Sequence, residues 1–315
     1  MSVKQASIVV VGSINMDLVA MLDRSPIPGE TILGSQFAMI PGGKGANQAV
    51  AAARLGARVA MVGCVGDDAF GAQMKRQLEQ EGIDTAHVSV AAGEATGVAI
   101  IQVQREGDNS IIVIPGANAR LTPALIDLAE DAIRRADVLL LQLEIPLPAV
   151  ERAAELAARH GVRVVLNPAP APAGALPESL LRHVDVLTPN ESEASLLISG
   201  AAQTDTAIEE LVQRLKQATG APNVLVTHGA EGVYYDLDGR TGRQAACQVD
   251  VVDTTAAGDC FNAATAVRWG EGAALTEAIG FAVRAAALAV TKFGAQPSLP
   301  RRADVEQFQA RPDRA

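Results

Sequence analysis

The sequence predicts an α/β fold: a doubly wound, mostly parallel sheet flanked by helices, with a small β-sheet lid. Three observations predict it. Short, continuous apolar runs alternate with amphipathic segments along most of the chain, as in sheets that helices cover on both faces. Polar residues follow nearly every apolar run, at the edge where such sheets bind ligands. Two stretches in the first third alternate and turn without a helical period.

Length and composition favour one large unit and exclude several functions. The chain has 315 residues, of which 49% are hydrophobic and only 3% aromatic. We therefore expect a single domain over residues 1–315 with an aliphatic core. The net charge of −10 argues against nucleic acid or an anionic membrane as a partner. The sequence shows no signal-peptide pattern and no apolar run long enough to span a bilayer, so the expected location is the cytoplasm.

The first third combines two βα units with two β excursions. The apolar runs predict strands at Ile8–Val11 and Val59–Val65, and the Ala-rich and amphipathic segments predict helices at Ala46–Leu55 and Phe70–Gln80. We expect the two excursions, at about residues 15–41 and 96–115, to form the lid. Their extended pieces are Glu30–Leu33, Gln36–Ile40, Thr96–Gln104 and Ser110–Pro115, the last two forming a hairpin around a polar turn at residues 105–109.

The rest of the chain repeats βα units, which imply a parallel sheet with helices on both faces. The predicted strands are Val138–Leu141, Val162–Leu166, Val184–Leu187 and Asn223–Val226. The predicted helices are Thr122–Arg135, Leu147–Arg159, Ala207–Ala218 and Ala273–Thr291, followed by a tight polar loop over Gly294–Ser298.

Polar side chains gather at the carboxyl ends of the predicted strands. They are Asn15, Asp17, Glu144, Asn167, Asn190, Glu193 and Thr227. Because the carboxyl ends of parallel strands share one edge of a sheet, these residues predict a single ligand cleft there.

A glycine-rich loop, P-G-G-K-G-A-N-Q from Pro41 to Gln48, leads into a predicted helix. It lacks the spacing of a Walker A loop. Gly42 and Gly43 permit a close backbone approach, and Lys44 and Asn47 offer donors. The set suits several hydroxyls of one small polar molecule. The alternative is a glycine-rich helix entry with a solvated lysine.

The stretch V-V-D-T-T-A-A-G-D-C-F-N, from Val251 to Asn262, ends in a predicted helix. The small residues Ala256, Ala257 and Gly258 would let a phosphate approach the unpaired N–H groups of the first turn. Asp259 would then lie beside the phosphate, where a carboxylate can take the proton of an attacking hydroxyl. The alternative is that Asp259 only caps the helix.

Other chemistries are less well supported. No GxGxxG follows the first strand, which disfavours a nicotinamide oxidoreductase. The three cysteines form no CxxC pair and the four histidines are scattered, so neither a zinc enzyme nor a disulfide framework is indicated. No serine lies in a nucleophile elbow, which disfavours a triad hydrolase. Cys260 is more simply a packed residue than an activated thiol. Phosphoryl transfer from a nucleotide to a hydroxyl accounts for more of the features.

Five motifs in order, G-S-I-N-M-D, P-G-G-K-G-A-N-Q-A, T-P-N-E-S-E, D-T-T-A-A-G-D and G-A-Q-P-S, closely resemble the ribokinase-like (PfkB) family of carbohydrate kinases. The resemblance runs from about Ile8 to Leu299. It implies transfer of the γ-phosphate of ATP to the 5-hydroxyl of D-ribose, with Mg²⁺ and with K⁺ as an activating cation. Deoxyribose, fructose or a nucleoside as the acceptor stays open, as does a catalytically silent sugar-binding protein.

The resemblance also implies residue roles. Asp259 matches the catalytic base, and the N–H groups of Ala256, Ala257, Gly258 and Asp259 match the anion hole. The positions matching sugar contacts are Asn15, Asp17, Gly42, Gly43, Lys44, Asn47, Glu144 and Asp259. Those matching the nucleotide site are Asn190, Thr227, Gly229, Gly232 and Gly258, with Glu193 organising Mg²⁺ through water. Those matching the monovalent-cation site are Asp253, Thr255, Ala289, Lys292, Gly294 and Ser298.

Two further implications concern the adenine pocket and the oligomer. The segment Phe281–Arg284 lies near the expected adenine pocket, where Val283 departs from the polar residue often found in the family. Family members often pair through the lid sheet, so a homodimer is expected, because an exposed two-strand excursion leaves edges and an apolar face to cover.

Overall fold

The computed structural model describes residues 4–104, 109–202 and 206–308. Residues 105–108 of the predicted turn 105–109, and the end of the charged tail, lie outside the described residues. The strands are β1 Ser7–Val11, β2 Asn15–Leu22, β3 Gln36–Gly42, β4 Arg58–Gly66, β5 Asp84–Ala91, β6 Gly97–Gln104, β7 Asn109–Ile114, β8 Val138–Leu141, β9 Arg163–Leu166, β10 Val186–Leu187, β11 Asn223–Thr227, β12 Val233–Leu237 and β13 Arg240–Gln244.

Twelve α-helices are found among the described residues. They are α1 Lys44–Arg54, α2 Ala69–Gln80, α3 Pro123–Asp127, α4 Glu130–Arg134, α5 Leu147–Arg159, α6 Glu178–Leu181, α7 Glu191–Ser199, α8 Ile208–Thr219, α9 Ala257–Gly270, α10 Leu275–Ala289, α11 Ala295–Ser298 and α12 Arg302–Gln307. In the described part of the chain, none of the helices combines the length and hydropathy of a membrane span.

The large sheet confirms the predicted doubly wound architecture. Its nine strands run in the order β13-β12-β11-β10-β9-β8-β1-β4-β5. Every pair is parallel except the β11–β12–β13 edge, which is antiparallel. Successive side chains of β1 enter different cores, with Ile8 and Val10 on one face and Val9 and Val11 on the other. That alternation explains why the strand is apolar throughout.

Two helical layers cover this sheet. Helices α1, α2, α9, α10 and α12 contribute to the core on one face, and α3 to α8 contribute to the core on the other. The end of the chain is attached to α1 by Arg54, which donates to the carbonyls of Gln296 (2.6 Å) and Leu299 (3.0 Å) and pairs with Glu81. The first helix and the last turns of the chain are thus held as neighbours.

A separate four-stranded sheet has the order β3-β2-β6-β7. Strand β2 pairs antiparallel with β3 and parallel with β6, and β7 closes a hairpin with β6. Val19, Ala99 and Ile101 form the core of its inner face. This arrangement confirms the predicted small sheet. It also places Asn15 and Asp17 on β2, the strand that leaves the large sheet.

Several predicted boundaries were wrong. Glu30–Leu33 is not a strand; it follows a turn at Pro28-Gly29 and has no pairing strand among the described residues, and Leu33 is 94% exposed. The predicted helix Thr122–Arg135 is two short helices, because Ala129 N–H bonds to Ile126 at i−3 and tightens the chain between them.

Two differences are smaller. Helix α10 spans only Leu275–Ala289 within the predicted Ala273–Thr291. The predicted loop Gly294–Ser298 contains a single helical turn, α11.

Candidate active site

The predicted site residues converge where the parallel strands end and three helices begin. Glu144 follows β8, Asn167 follows β9 and Thr227 ends β11. Lys44 is the first residue of α1, and Asp259 lies in the first turn of α9. Since the carboxyl ends of β8, β9 and β11 share one edge of the large sheet, the single cleft predicted from the sequence is present.

Asp259 is a buried carboxylate held by two amides. Asn47 Nδ2 donates to its Oδ2 at 2.9 Å, and Gln48 Nε2 donates to its Oδ1 at 3.1 Å. The side chain is only 6% exposed. Burial raises the pKa of Asp259 above its usual range, while the charge of Lys44 and the two amide hydrogen bonds oppose that rise. Asp259 therefore does not cap its own helix through a side-chain bond.

The start of α9 leaves backbone donors available. Ala256 precedes the helix in the left-handed conformation (φ 61°), and no side chain caps it. Ala257 N–H donates to Thr254 O at 3.2 Å, but the N–H groups of Gly258 and Asp259 have no acceptor within the described part of the chain. A Cβ added to Gly258 would meet nothing within 4 Å. An anion can thus reach these donors and the positive end of the helix dipole.

The glycine-rich loop needs its glycines because β2 passes close to it. Asn15 and Gly42 are paired in β2 and β3, and a Cβ on Gly42 would lie 2.1 Å from Asp17 Oδ2. Gly43 has φ 88°, and its Cβ would lie 2.7 Å from Asn15 N. The loop therefore packs directly against the carboxylate of Asp17 and the backbone of Asn15, and at these two positions a side chain has no room.

The charges of three carboxylates, Asp259, Glu144 and Glu193, act on Lys44. Burial, then the charges of Glu144 and Asp259, raise the pKa of Asp17 to about 7. Burial lowers the pKa of Lys44, but the charges of Asp259, Glu144 and Glu193 outweigh it, so the net shift is upward. The backbone N–H of Lys44 also donates to Glu144 Oε2 at 3.1 Å. The lysine is therefore a charged donor inside an acidic pocket.

Three adjoining cavities follow one another along the cleft, and Thr254 lines all of them. The first, about 260 Å³, is lined by Asp17, Asp253, Thr255 and Gly294 with apolar side chains of the small sheet. The second, about 240 Å³, is lined by Lys44, Asn190, Glu193, Thr227, Gly258 and Asp259. The third, about 390 Å³, is mostly apolar and is lined by Gly229, Gly232, Phe261 and Val283.

Asn190 and Glu193 use part of their capacity in capping α7. Asn190 Oδ1 accepts from Glu193 N–H, and Glu193 Oε2 accepts from Asn190 N–H, both at 2.8 Å. This reciprocal pair is a capping box. Burial raises the pKa of Glu193, against the Asn190 N–H bond and the Lys44 charge. Both residues line the 240 Å³ cavity, and no hydrogen bond within the described part of the chain uses Asn190 Nδ2 or Glu193 Oε1.

Two of the predicted cation ligands, Thr255 and Gly294, hydrogen-bond to the side chain of Asp253. Thr255 donates to its Oδ1 through N (2.9 Å) and Oγ1 (2.6 Å), and Gly294 N donates to Oδ2 (2.8 Å). Ser298 is buried, and its Oγ donates to Ala295 O. Ala289, Lys292 and Ser298 line none of the three cavities. The set offers only oxygen ligands, which suits a hard cation. No group of three or more His, Cys, Asp or Glu side chains suited to a metal occurs in the described residues.

Sequence reasoning missed several residues that hold the site together. Gln48 and Gln142 lie behind Asp259. Asn118 Nδ2 donates to Asn15 Oδ1 at 2.7 Å, and Asn262 Nδ2 donates to Gly258 O at 2.9 Å in the first turn of α9. One signal was available: Gln48 is a polar residue within an alanine-rich helix, directly after Asn47. Cys260 is fully buried, which raises the pKa of its thiol and agrees with a packed residue.

The model of the pfkB family of carbohydrate kinases matches residues 5–302. The chain is a member of this family. The kinase is 43% identical to "Ribokinase" of Haemophilus influenzae over 302 residues, 96% of this chain and 98% of that one. It is 38% identical to "Deoxyribokinase" of Salmonella typhi, covering 96% and 97% of the two chains.

A solved structure shares the whole fold of this kinase. It is the Arabidopsis thaliana ribokinase complexed with ribose and ATP, which matches with a TM-score of 0.88 at 36% identity. The match covers 97% of this chain and 100% of that one. The ribokinase-like fold therefore extends over nearly the full length of both proteins.

Proposed function

We propose that this kinase transfers the γ-phosphate of ATP to the 5-hydroxyl of D-ribose, giving D-ribose 5-phosphate. The observation that carries the proposal is the position of Asp259. It is a buried carboxylate held by two amides, directly beside the free N–H groups of its own helix. The relative named ribokinase at 43% identity, and the related structure that holds ribose and ATP, favour this acceptor.

The sugar would lie in the 260 Å³ cavity that Asp17 lines, against β2 and the glycine-rich loop. Asn15, Asp17, Gly42, Gly43, Lys44, Asn47 and Glu144 are the residues we assign to it. The carboxylate of Asp17 can accept from two hydroxyls with good geometry. Asn47 Oδ1 is buried and has no donor within the described part of the chain, so a sugar hydroxyl would satisfy it.

The chemical step follows from these positions. Asp259 takes the proton of the sugar hydroxyl as its oxygen attacks the γ-phosphorus. The bond from that phosphorus to the β–γ bridging oxygen breaks, and ADP leaves. The N–H groups of Ala256, Ala257, Gly258 and Asp259 form the proposed anion hole, and those of Gly258 and Asp259 are free to receive the charge on the transferring group.

The nucleotide would occupy the other two cavities. We assign Asn190, Thr227 and Gly258 to the phosphates, and Gly229 and Gly232 to the turn beside the base. The 390 Å³ cavity is mostly apolar and includes Val283. Its walls would hold adenine by packing, without a polar side chain at position 283.

Two cations complete the proposal. Mg²⁺ would take most of its ligands from phosphate oxygens and water, with Glu193 accepting from one of those waters. It would neutralise charge on the phosphates. K⁺ would be held by oxygens of Asp253, Thr255, Ala289, Lys292, Gly294 and Ser298, which frame the loop that leads into α9. It would act by fixing that loop.

The small sheet would serve as a lid, at about residues 15–41 and 96–115 of a single domain over residues 1–315. Excluding water would protect the phosphoryl group from hydrolysis.

The outer face of this sheet exposes Phe37, Met39, Ile100, Ile112 and Ile114. A second copy of this chain would cover that face, giving a homodimer. Sedimentation should then show a dimer, and Ile112→Lys should shift it to a monomer. We place the enzyme in the cytoplasm, where ATP is available.

One assay tests the acceptor and the cation together. ADP release is measured with D-ribose, deoxyribose, fructose and nucleosides, with K⁺ or with tetramethylammonium as the only monovalent cation. We expect the highest kcat/KM with D-ribose and a higher kcat with K⁺. The deoxyribokinase at 38% identity makes deoxyribose the second candidate, so a higher kcat/KM with deoxyribose would replace our assignment. Sugar binding without ADP release would indicate a silent binding protein.

A further inference from the structure

A chain of buried amides ends on Asp259. Gln142 Nε2 donates to Gln48 Oε1 at 2.6 Å, and Gln48 Nε2 donates to Asp259 Oδ1 at 3.1 Å. Gln48 and Gln142 are both 0% exposed. Neither side chain can contact a ligand in the cleft, so any effect on the reaction must pass through Asp259.

The carboxylate sets the direction of this chain. An ionised Asp259 only accepts hydrogen bonds, so Gln48 must present its amide nitrogen. The Gln48 oxygen then faces Gln142, which must present its own nitrogen. A reversed Gln48 amide would put two acceptors together.

The chain also has a cost. Gln142 Oε1 is buried and has no donor within the described part of the chain. It packs against Gly12, where an added Cβ would lie 1.9 Å away. A buried acceptor without a donor destabilises a protein, and an apolar side chain of the same volume would avoid that loss. What this arrangement provides is the hydrogen bond from Gln48 Nε2 to Asp259 Oδ1, at the other end of the row of amides.

Asn47 and Gln48 each donate to a different oxygen of the Asp259 carboxylate. Asn47 is 5% exposed, and its Oδ1 is buried without a donor among the described residues. Gln48 has no exposed surface, and within the described part of the chain its nitrogen reaches Asn167 Oδ1, at 3.5 Å, and no acceptor other than that and Asp259. We propose that Gln48, oriented by Gln142, is the positioning residue of Asp259: its hydrogen bond fixes the plane of the carboxylate. This inference rests on the proposed role of Asp259 as the base.

The surrounding charges define the expected signature. Lys44 of α1, Asp17 of β2, Glu144 after β8 and Glu193 of α7 face Asp259, and its own neighbour Cys260 is buried beside it. Substituting Gln48 alters none of these groups. Losing its donor removes one of the interactions that oppose burial, so the pKa of Asp259 should rise further. The acid limb of kcat should then move to higher pH.

The test uses Gln48→Met, which keeps the side-chain volume and removes the donor. At saturating ribose and ATP with Mg²⁺ and K⁺, kcat is measured from pH 5 to pH 9. We expect kcat at pH 7 to fall about tenfold and the acid limb to move up by about one pH unit, with KM for ribose within about threefold. Gln142→Met should shift the limb in the same direction by less. Asn223→Leu removes a buried donor to Asp185 O (2.9 Å) at the amino end of β11, opposite the cleft, and should leave the limb unchanged.

If Gln48→Met folds and its acid limb is unchanged, the proposal is overturned. A fall in kcat that is explained by a lower thermal midpoint, with no shift of the limb, would overturn it as well. If Gln48→Met does not fold, the limb of Gln142→Met decides in the same way. Asp259→Asn keeps the two failures apart. If that variant retains turnover, the base assignment is wrong; if it loses turnover while the Gln48→Met limb is unchanged, only the positioning role is wrong.

Discussion

Helices α7 and α9 both begin at the cleft and both carry an acid at the third helical position, yet the two acids behave differently. At α7, Glu193 turns back to the N–H of Asn190 and closes a capping box. At α9, Asp259 turns away from its helix to the amides of Asn47 and Gln48. One helix start is satisfied by its own side chains. The other is left for a ligand to complete.

The backbone before each helix matches this difference. Asn190 has extended backbone, and its side chain accepts from the helix. Ala256 is left-handed and has no side-chain acceptor to offer; that conformation costs an L-residue about 1 kcal/mol. The α9 start gives up local stability, and a bound phosphate would recover it through the free N–H groups.

The substitution Asp259→Asn should have the largest effect on turnover. Without a base at that position we expect kcat to fall about 10²–10⁴-fold, with ribose affinity nearly unchanged. Coupled ADP release gives the first value and calorimetry the second. The matched change Glu193→Gln keeps an oxygen for the cap and should lower kcat far less. Turnover within threefold of wild type in Asp259→Asn would refute the base assignment.

Gly258→Ala tests the open N–H groups. Gly258 does not need a positive φ, and its Cβ would meet nothing in the protein, so the variant should fold with an unchanged thermal midpoint. The methyl group would occupy the space through which a phosphate reaches the helix, and kcat/KM for ATP should fall about 10²-fold. Ser192→Ala, at the same position of α7, is the control and should change kcat/KM little. Similar losses in both variants would contradict the distinction between the two helix starts.

Asp17, on β2, should make ribose affinity depend on pH. Its pKa is raised to about 7, so below pH 7 a sugar must displace a proton to reach the carboxylate. Ribose affinity should fall by up to about tenfold per pH unit below 7 and be flat above it. Calorimetry at pH 6 in two buffers of different ionisation enthalpy should report proton release. Affinity that is constant from pH 6 to pH 8 would contradict this.

The same carboxyl has the opposite effect on folding. Its pKa is higher in the folded protein than its ordinary value of 3.8. Its contribution to stability is therefore complete below about pH 3.8 and is lost as pH rises through 7. At pH 8, Asp17→Asn should raise the thermal midpoint of the sugar-free protein while weakening ribose binding.

Substituting Asn190, the N-cap of α7, should have the smallest effect. Asn190→Ala should lower the free energy of unfolding by about 1 kcal/mol, because it removes the cap. Asn190→Ser keeps a capping oxygen and should preserve stability. If the amide nitrogen also binds the nucleotide, both variants should raise KM for ATP. A raised KM in the alanine variant alone would mean that the cap is its whole contribution.

The parts of the fold that the sequence predicts well are those with a one-dimensional signal. The apolar runs predicted β1 and β4 to within a residue at each end. Strands β2, β5, β12 and β13 were missed. For the edge strands β5 and β13 the reason is that they take much of their stability from a partner backbone that local sequence does not display. Helix α7 was missed although N-E-S-E carries a capping-box pattern.

The site divides in the same way. Small residues before an acid at a helix start, and glycines before a lysine, are local patterns, and they predicted the positions of Asp259 and Lys44. Gln48 had no such pattern, because its partner lies 211 positions away. Asn118 and Asn15 are 103 positions apart. A polar side chain in an alanine-rich helix is usually solvated, and only the packing of α1 against the large sheet and α9 reveals that this one is not.

The hydrogen bond from Asn47 to Asp259 also has a consequence for synthesis. It joins positions 212 apart, and Arg54 reaches Gln296 and Leu299 over 242 and 245 positions. Contacts of such range form late, since the intervening chain must first be ordered. A growing chain on the ribosome therefore contains the residues proposed to bind the sugar before it contains Asp259, the proposed base. The contacts of Asn47 and Arg54 with these later residues can form only after the chain has been synthesised through Leu299.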